Sequence, residues 1–237
     1  MAARALTYLA IGLLGLVIPV AAGATTITIN GGTSGTIPAG LPNDFITGGV
    51  LPGPTIGGFY GARLDVTAPP GSRVLLDFFG AEADFANEFD LGATVVFQHA
   101  AGVNTMSANI ASPLAHFEAP LGAVIFLGFT FRANSLATFV ADGANPDNST
   151  HTLLTPNFFL SCNPFNAAAG STVRNCDSVY AFLDDGGGGP DADYDDLLVR
   201  VTVEAVPEPA TLMLLGLGLL AGGRAFRRRE MTSEVRR

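Results

Sequence analysis

Leu197-Leu198-Val199-Arg200-Val201-Thr202-Val203-Glu204 is the stretch that decides the fold. Leu197, Val199, Val201 and Val203 alternate with Leu198, Arg200, Thr202 and Glu204, the period-two pattern of a strand with one face in a core and the other in water. The same chemistry recurs outward from it. Thr26 to Asn30, Arg63 to Thr67, Arg73 to Phe79, Thr94 to His99, Ala123 to Phe131, Leu136 to Val140 and Val179 to Leu183 all carry β-branched or aromatic residues between Gly, Pro, Asn or Asp. Ile125, Leu127, Phe129 and Phe131 likewise fall on one face. Runs of this kind, with no long amphipathic helix between residues 25 and 206, predict an all-β domain: an antiparallel β-sandwich or a jelly-roll-like fold. Gly31 to Gly58, rich in Gly, Pro and Thr, is expected to be a long surface loop or a loosely pinned arm.

Just before the deciding strand stands Asp184-Asp185-Gly186-Gly187-Gly188-Gly189-Pro190-Asp191-Ala192-Asp193-Tyr194-Asp195-Asp196. Repulsion among the carboxylates of Asp184, Asp185, Asp191, Asp193, Asp195 and Asp196 opposes ordering of this turn. A hard cation with oxygen ligands, Ca²⁺ above all, would relieve it; a solvated acidic hairpin is the other reading. The Asp191, Asp193, Asp195 spacing starts like an EF-hand loop but fails it, because Asp196 replaces the required Gly and Thr202 the closing Glu. Glu82, Asp84, Glu88 and Asp90 form a second acidic cluster, expected to be a loop between strands. Paired carboxylates of this kind also serve glycoside hydrolysis when their separation is right.

Three of the 21 acidic and seven of the 12 basic residues lie outside residues 25–206, leaving that body at about −13, a field that repels nucleic acid and other polyanions. Cys162 and Cys176 are expected to form a disulfide, since an exported pair is oxidised and closes a short loop poor in core residues. His99, His116 and His151 match no zinc pattern, and Gly32-Thr33-Ser34-Gly35-Thr36 lacks the last glycine of a nucleophile elbow. No enzymatic activity is expected.

The two ends address the protein. Arg4, the apolar run from Leu9 to Val20 and the small residues Ala22-Gly23-Ala24 make the three zones of a secretory signal peptide, residues 1–24, and imply the Sec export machinery. At the other end, Val206-Pro207-Glu208-Pro209 precedes an apolar stretch from Ala210 to Gly223 and then Arg224, Arg227, Arg228 and Arg229. Those 14 apolar residues make about 21 Å of helix against a hydrocarbon core of about 30 Å. A transmembrane helix over 210–226 reaches further if Arg224 snorkels to the headgroups, and the Arg cluster then stays cytoplasmic. Pro207 and Pro209 remove backbone donors and hold the segment extended, a handle for a processing enzyme.

This ending resembles the PEP-CTERM sorting signal of Gram-negative bacteria that make exopolysaccharide, whose tripeptide matches Pro207, Glu208 and Pro209. The resemblance implies recognition by a membrane-embedded exosortase, transient anchoring in the inner membrane and delivery to the cell envelope or outside it. The acidic turn resembles a segment of many secreted bacterial β-sandwich proteins, in which an Asp-x-Asp-Tyr-Asp-Asp sequence leads into an alternating strand. There the acids are suspected of holding Ca²⁺ or of organising the turn by hydrogen bonds to backbone N–H groups. The organisation expected is a signal peptide (1–24), a β-sandwich ectodomain (25–205) and a sorting signal (206–237). The function expected is structural or adhesive in exopolysaccharide or biofilm, with a carbohydrate-binding module or glycan-processing enzyme as the alternative.

Overall fold

The structure is a computed structural model that describes residues 24–38, 42–82, 84–121, 127–133, 137–147, 155–162, 172–186, 193–206 and 215–221. Residues 24–205 make one compact unit. The strands are β1 (Thr26–Ile37), β2 (Ile56–Thr67), β3 (Arg73–Ala81), β4 (Asn87–Leu91), β5 (Thr94–His99), β6 (Thr105–Met106), β7 (Ala115–Pro120), β8 (Phe129–Ala133), β9 (Thr138–Ala141), β10 (Asn157–Ser161), β11 (Asn175–Cys176), β12 (Ser178–Asp184) and β13 (Leu197–Glu204), with one short helix, α1 (Asp44–Thr47). A nine-stranded sheet runs β11-β1-β2-β10-β12-β13-β3-β6, with β7 also on β3, and a four-stranded sheet runs β5-β4-β8-β9. Every pairing is antiparallel. The all-β expectation is met by two sheets of unequal width.

The alternation of β13 does what the sequence demands. Leu197, Val199, Val201 and Val203 enter the core between the sheets, together with Ile27, Leu64, Leu76 and Leu183 from the large sheet and Phe89, Phe129, Phe131 and Val140 from the small one. Aromatic rings join the sheets: Phe158 lies with its centroid 5.0 Å from Phe129 and 5.7 Å from Phe131. Buried Asp142 adds a polar tie, its Oδ1 accepting from Leu64 N of β2 (2.8 Å) while its own N–H donates to Phe129 O of β8 (2.9 Å).

The segment expected to be a loose arm is not one. Its first part is β1, paired with β2 over its whole length. Gly32, at φ 73°, crosses so close to β2 that a Cβ there would meet Tyr60 O and Ala62, which is why the strand is glycine-rich. The remainder folds over the far side of the large sheet, where Phe45, Val50, Leu51 and Ile56 cover Phe79, Phe159, Tyr180, Phe182 and Leu198 in a second core. Strands β10 and β12 are therefore buried on both faces, which explains why Phe158-Phe159-Leu160 and Val179-Tyr180-Ala181-Phe182-Leu183 read as continuous apolar runs. A lid whose apolar residues follow no period leaves no strand or helix signature.

Glu88 and Asp90 lie on β4 rather than in the expected loop, and β7 and β10 are strands with no counterpart in the sequence reading. The disulfide is present: Cys162, just beyond β10, joins Cys176 of β11, with Cα atoms 5.5 Å apart. It ties β11, at the edge of the large sheet beside β1, back to β10.

Candidate functional site: the acidic turn and the sorting segment

Asp184 ends β12 and Asp193 to Asp196 lead into β13, so both ends of the turn are described while 187–192, including Asp191, lie outside the described residues. The described carboxylates are largely withdrawn from water. Asp184, Asp185, Asp193 and Asp195 are buried and Asp196 is half-buried. Burial obliges each to find donors. Asp195 Oδ2 accepts from Asp44 N at 2.5 Å, and Asp196 Oδ2 accepts from Asp185 N at 2.7 Å. Asp185 Oδ2 accepts from Asn87 Nδ2 at 2.8 Å.

The lid is pinned to this turn. Asn43 caps α1, its Oδ1 accepting from Ile46 N at 3.2 Å, while its Nδ2 donates to Asp193 O at 2.8 Å and to Tyr194 O at 3.3 Å. Between these contacts Tyr194 adopts φ 64°, the described non-glycine residue with positive φ, and is fully buried. Its ring packs 5.7 Å from Tyr60 and 6.0 Å from Phe159. Left-handed backbone at Tyr194 thus drives the ring into the second core while Asp195 and Asp196 turn to backbone N–H groups.

The electrostatics follow from the burial. Loss of water pushes the Asp195 carboxyl up to about 6, against the hydrogen bonds from Asp44 and Asp193 and with the help of Glu82 and Asp44 charges. Asp196 is raised well above the ordinary range, again by burial first and then by the charges of Asp185, Asp184 and Asp195. Among the described residues, no three His, Cys, Asp or Glu side chains converge to hold a metal ion. Two neutral oxygens do stand nearby. Asn157 lies opposite Asp184 across β10 and β12 and is fully buried, with both amide atoms lacking a hydrogen-bond partner; Asn87 Oδ1, beside Asp185, also meets no donor.

Sequence reasoning missed one charged group outright, and in a second it singled out Glu88 and Asp90 without their partner Arg132. On the large sheet, buried Asp77 accepts from Arg200 Nε at 2.9 Å and Nη2 at 2.5 Å and lies 2.6 Å from His116 Nδ1. Its hydrogen bond raises the His116 pKa, with a second contribution from Glu118. On the small sheet, Arg132 Nε donates to Asp90 Oδ2 at 2.6 Å, and Glu88 is raised by burial and by a hydrogen bond with Asp90. Both groups arise from cross-strand pairing, which a single strand's spacing does not display.

Pro207, Glu208, Pro209 and half of the apolar stretch lie outside the described residues; 215–221 are helical. Leu215, Leu217, Leu219 and Leu220 are 57–69% exposed, an apolar surface carried around the helix rather than on one face. Among the described residues no helix is long and apolar enough to cross a membrane. No curated protein and no solved structure matches the chain. A family model described as the PEP-CTERM protein-sorting motif matches residues 205–229, the segment that holds Pro207-Glu208-Pro209, the apolar stretch and the arginines Arg224, Arg227, Arg228 and Arg229. The protein therefore carries a PEP-CTERM sorting signal, which implies an exported, envelope-directed chain with an exosortase as its processing partner.

Proposed function

We propose that the protein is a non-enzymatic structural or adhesive component of the exopolysaccharide layer or biofilm, exported through the Sec machinery by its leader and held transiently in the inner membrane by a helix over 210–226. The matched sorting motif carries this reading. The exposed leucines of 215–221 support the membrane step, since an apolar surface of that kind is stable in lipid and not in water. Mass spectrometry of the mature protein tests it: the expected chain starts at Thr25 and ends near Pro209, and replacing Pro207, Glu208 and Pro209 by alanine keeps the Arg-rich tail attached. A native chain found with its tail intact overturns the processing step.

The acidic turn acts in this reading as a staple that fastens the lid to the large sheet. Calcium at the turn is a second reading, favoured by the donorless amide oxygens of Asn157 and Asn87 beside Asp184 and Asp185, because Ca²⁺ takes neutral and charged oxygens together. Melting curves with excess Ca²⁺ and with a chelator separate the two. A ligand of the native state raises the midpoint; a staple alone leaves it unmoved.

A further inference from the structure

Gln98, Glu88, Arg132 and Phe139 stand in register across β5, β4, β8 and β9. Residues directly opposite in antiparallel strands share a face, and this is the face turned away from Phe89, Phe131 and Val140 in the core. Three strand spacings give the row a length of about 14 Å. At one end Phe139 is 66% exposed, the most exposed aromatic ring among the described residues. Beside it, Arg132 binds Asp90 and lies 3.6 Å from Glu88 Oε1, while Gln98 Nε2 donates to Glu88 Oε2 at 3.4 Å. In the adjoining row, Val95 opposite Asp90 is 53% exposed. The face therefore presents a bare ring next to Arg132 and Gln98, which buried Glu88 and Asp90 hold in place, with the guanidinium offsetting the acids.

This arrangement has a complementary ligand chemistry. A pyranose offers an apolar face of C–H groups and a rim of hydroxyls that both donate and accept, and it stacks on an aromatic ring while its rim meets paired polar side chains. An anionic polymer meets a body of about −13 and is repelled. We propose that the outer face of the four-stranded sheet binds a neutral polysaccharide strand, Phe139 stacking under one sugar ring and Arg132 and Gln98, both held by buried Glu88, hydrogen-bonding the hydroxyls of the next. The proposal rests on placement of the protein in a polysaccharide layer and names the surface that holds it there.

Affinity electrophoresis of the exported, processed protein tests it, using native gels cast with hydroxyethylcellulose, mixed-linkage β-glucan, dextran or galactomannan, and with polygalacturonate as the anionic comparison. At least one neutral polymer is expected to retard the protein. Phe139→Ala is expected to weaken that retardation on the order of tenfold, the effect of losing one central aromatic contact, and Phe139→Tyr to retain it. Because the ring is exposed, the alanine variant keeps the wild-type melting midpoint. Retardation by none of the four neutral polymers, equal retardation of Phe139→Ala and wild type, or stronger retardation by polygalacturonate overturns the proposal. A protein that is exported and trimmed yet passes unretarded sinks this surface alone. One that is never exported sinks the placement in the layer.

Discussion

Tyr194 holds a backbone conformation that side chains other than glycine rarely adopt, and it does so because its ring fills the second core against Tyr60 and Phe159. Removing the ring leaves a cavity under the lid and withdraws the reason for the left-handed turn. Tyr194→Ala is expected to cost about 3–5 kcal/mol, the range for deleting a buried aromatic, read as a lower denaturant midpoint. Around this residue the Asp-x-Asp-Tyr-Asp-Asp spacing was legible in the sequence as a turn before a strand. Its carboxylates were not legible as buried acceptors, because clustered acids are ordinarily wet and it takes the lid from residues 42–55 and distant strands to remove the water.

At the scale of elements, the lid depends on a helix of four residues that could not stand by itself. Its stability comes from Asn43, which caps α1 and reaches the turn, and from Asp195, which takes the Asp44 N–H. Asn43→Ala is expected to cost about 1–2 kcal/mol, since it removes a cap and a second bond to the turn together. Limited proteolysis should show cleavage within 42–55 rising in the variant before the sheets unfold, and unchanged cleavage would mean that apolar packing alone holds the lid. Strands β5 and β13 match the sequence reading end to end, because each lies between clear turn residues with β-branched side chains inside. Strand β4 escaped it: Asn87-Glu88-Phe89-Asp90-Leu91 carries charge on the face where Arg132 compensates from another strand.

For the whole molecule, several groups prefer to be protonated in the folded state. Burial raises Asp142 to about 7 and Asp195 to about 6, and raises Asp196 well above its ordinary range. A carboxyl raised in this way contributes stability that is complete below its unfolded value of about 4 and disappears as pH rises through the folded value. His116 acts in the same sense above its own ordinary range, its raised pKa making protonation favour the folded state. The melting midpoint is therefore expected to fall between pH 5 and pH 8, and a flat or rising profile would show that these carboxyls ionise inside the fold without cost. In the layer proposed for the protein, mild acid would then tighten it.

Local chemistry by itself determined the all-β class, the oxidised cysteine pair and the sorting segment. Each depends on neighbours in the chain: period-two alternation, two cysteines in an exported body, and an apolar stretch between a Pro-Glu-Pro handle and arginines. Tertiary structure alone decided that the glycine-rich arm is a strand and a lid, that Asp184, Asp185, Asp193 and Asp195 of the acidic turn are buried, and that Phe139 stands bare beside Arg132 and Glu88. Those facts depend on which surfaces meet. Burial of a charge or exposure of a ring is a property of the partner strand, and partners far apart in the chain leave no period in either sequence.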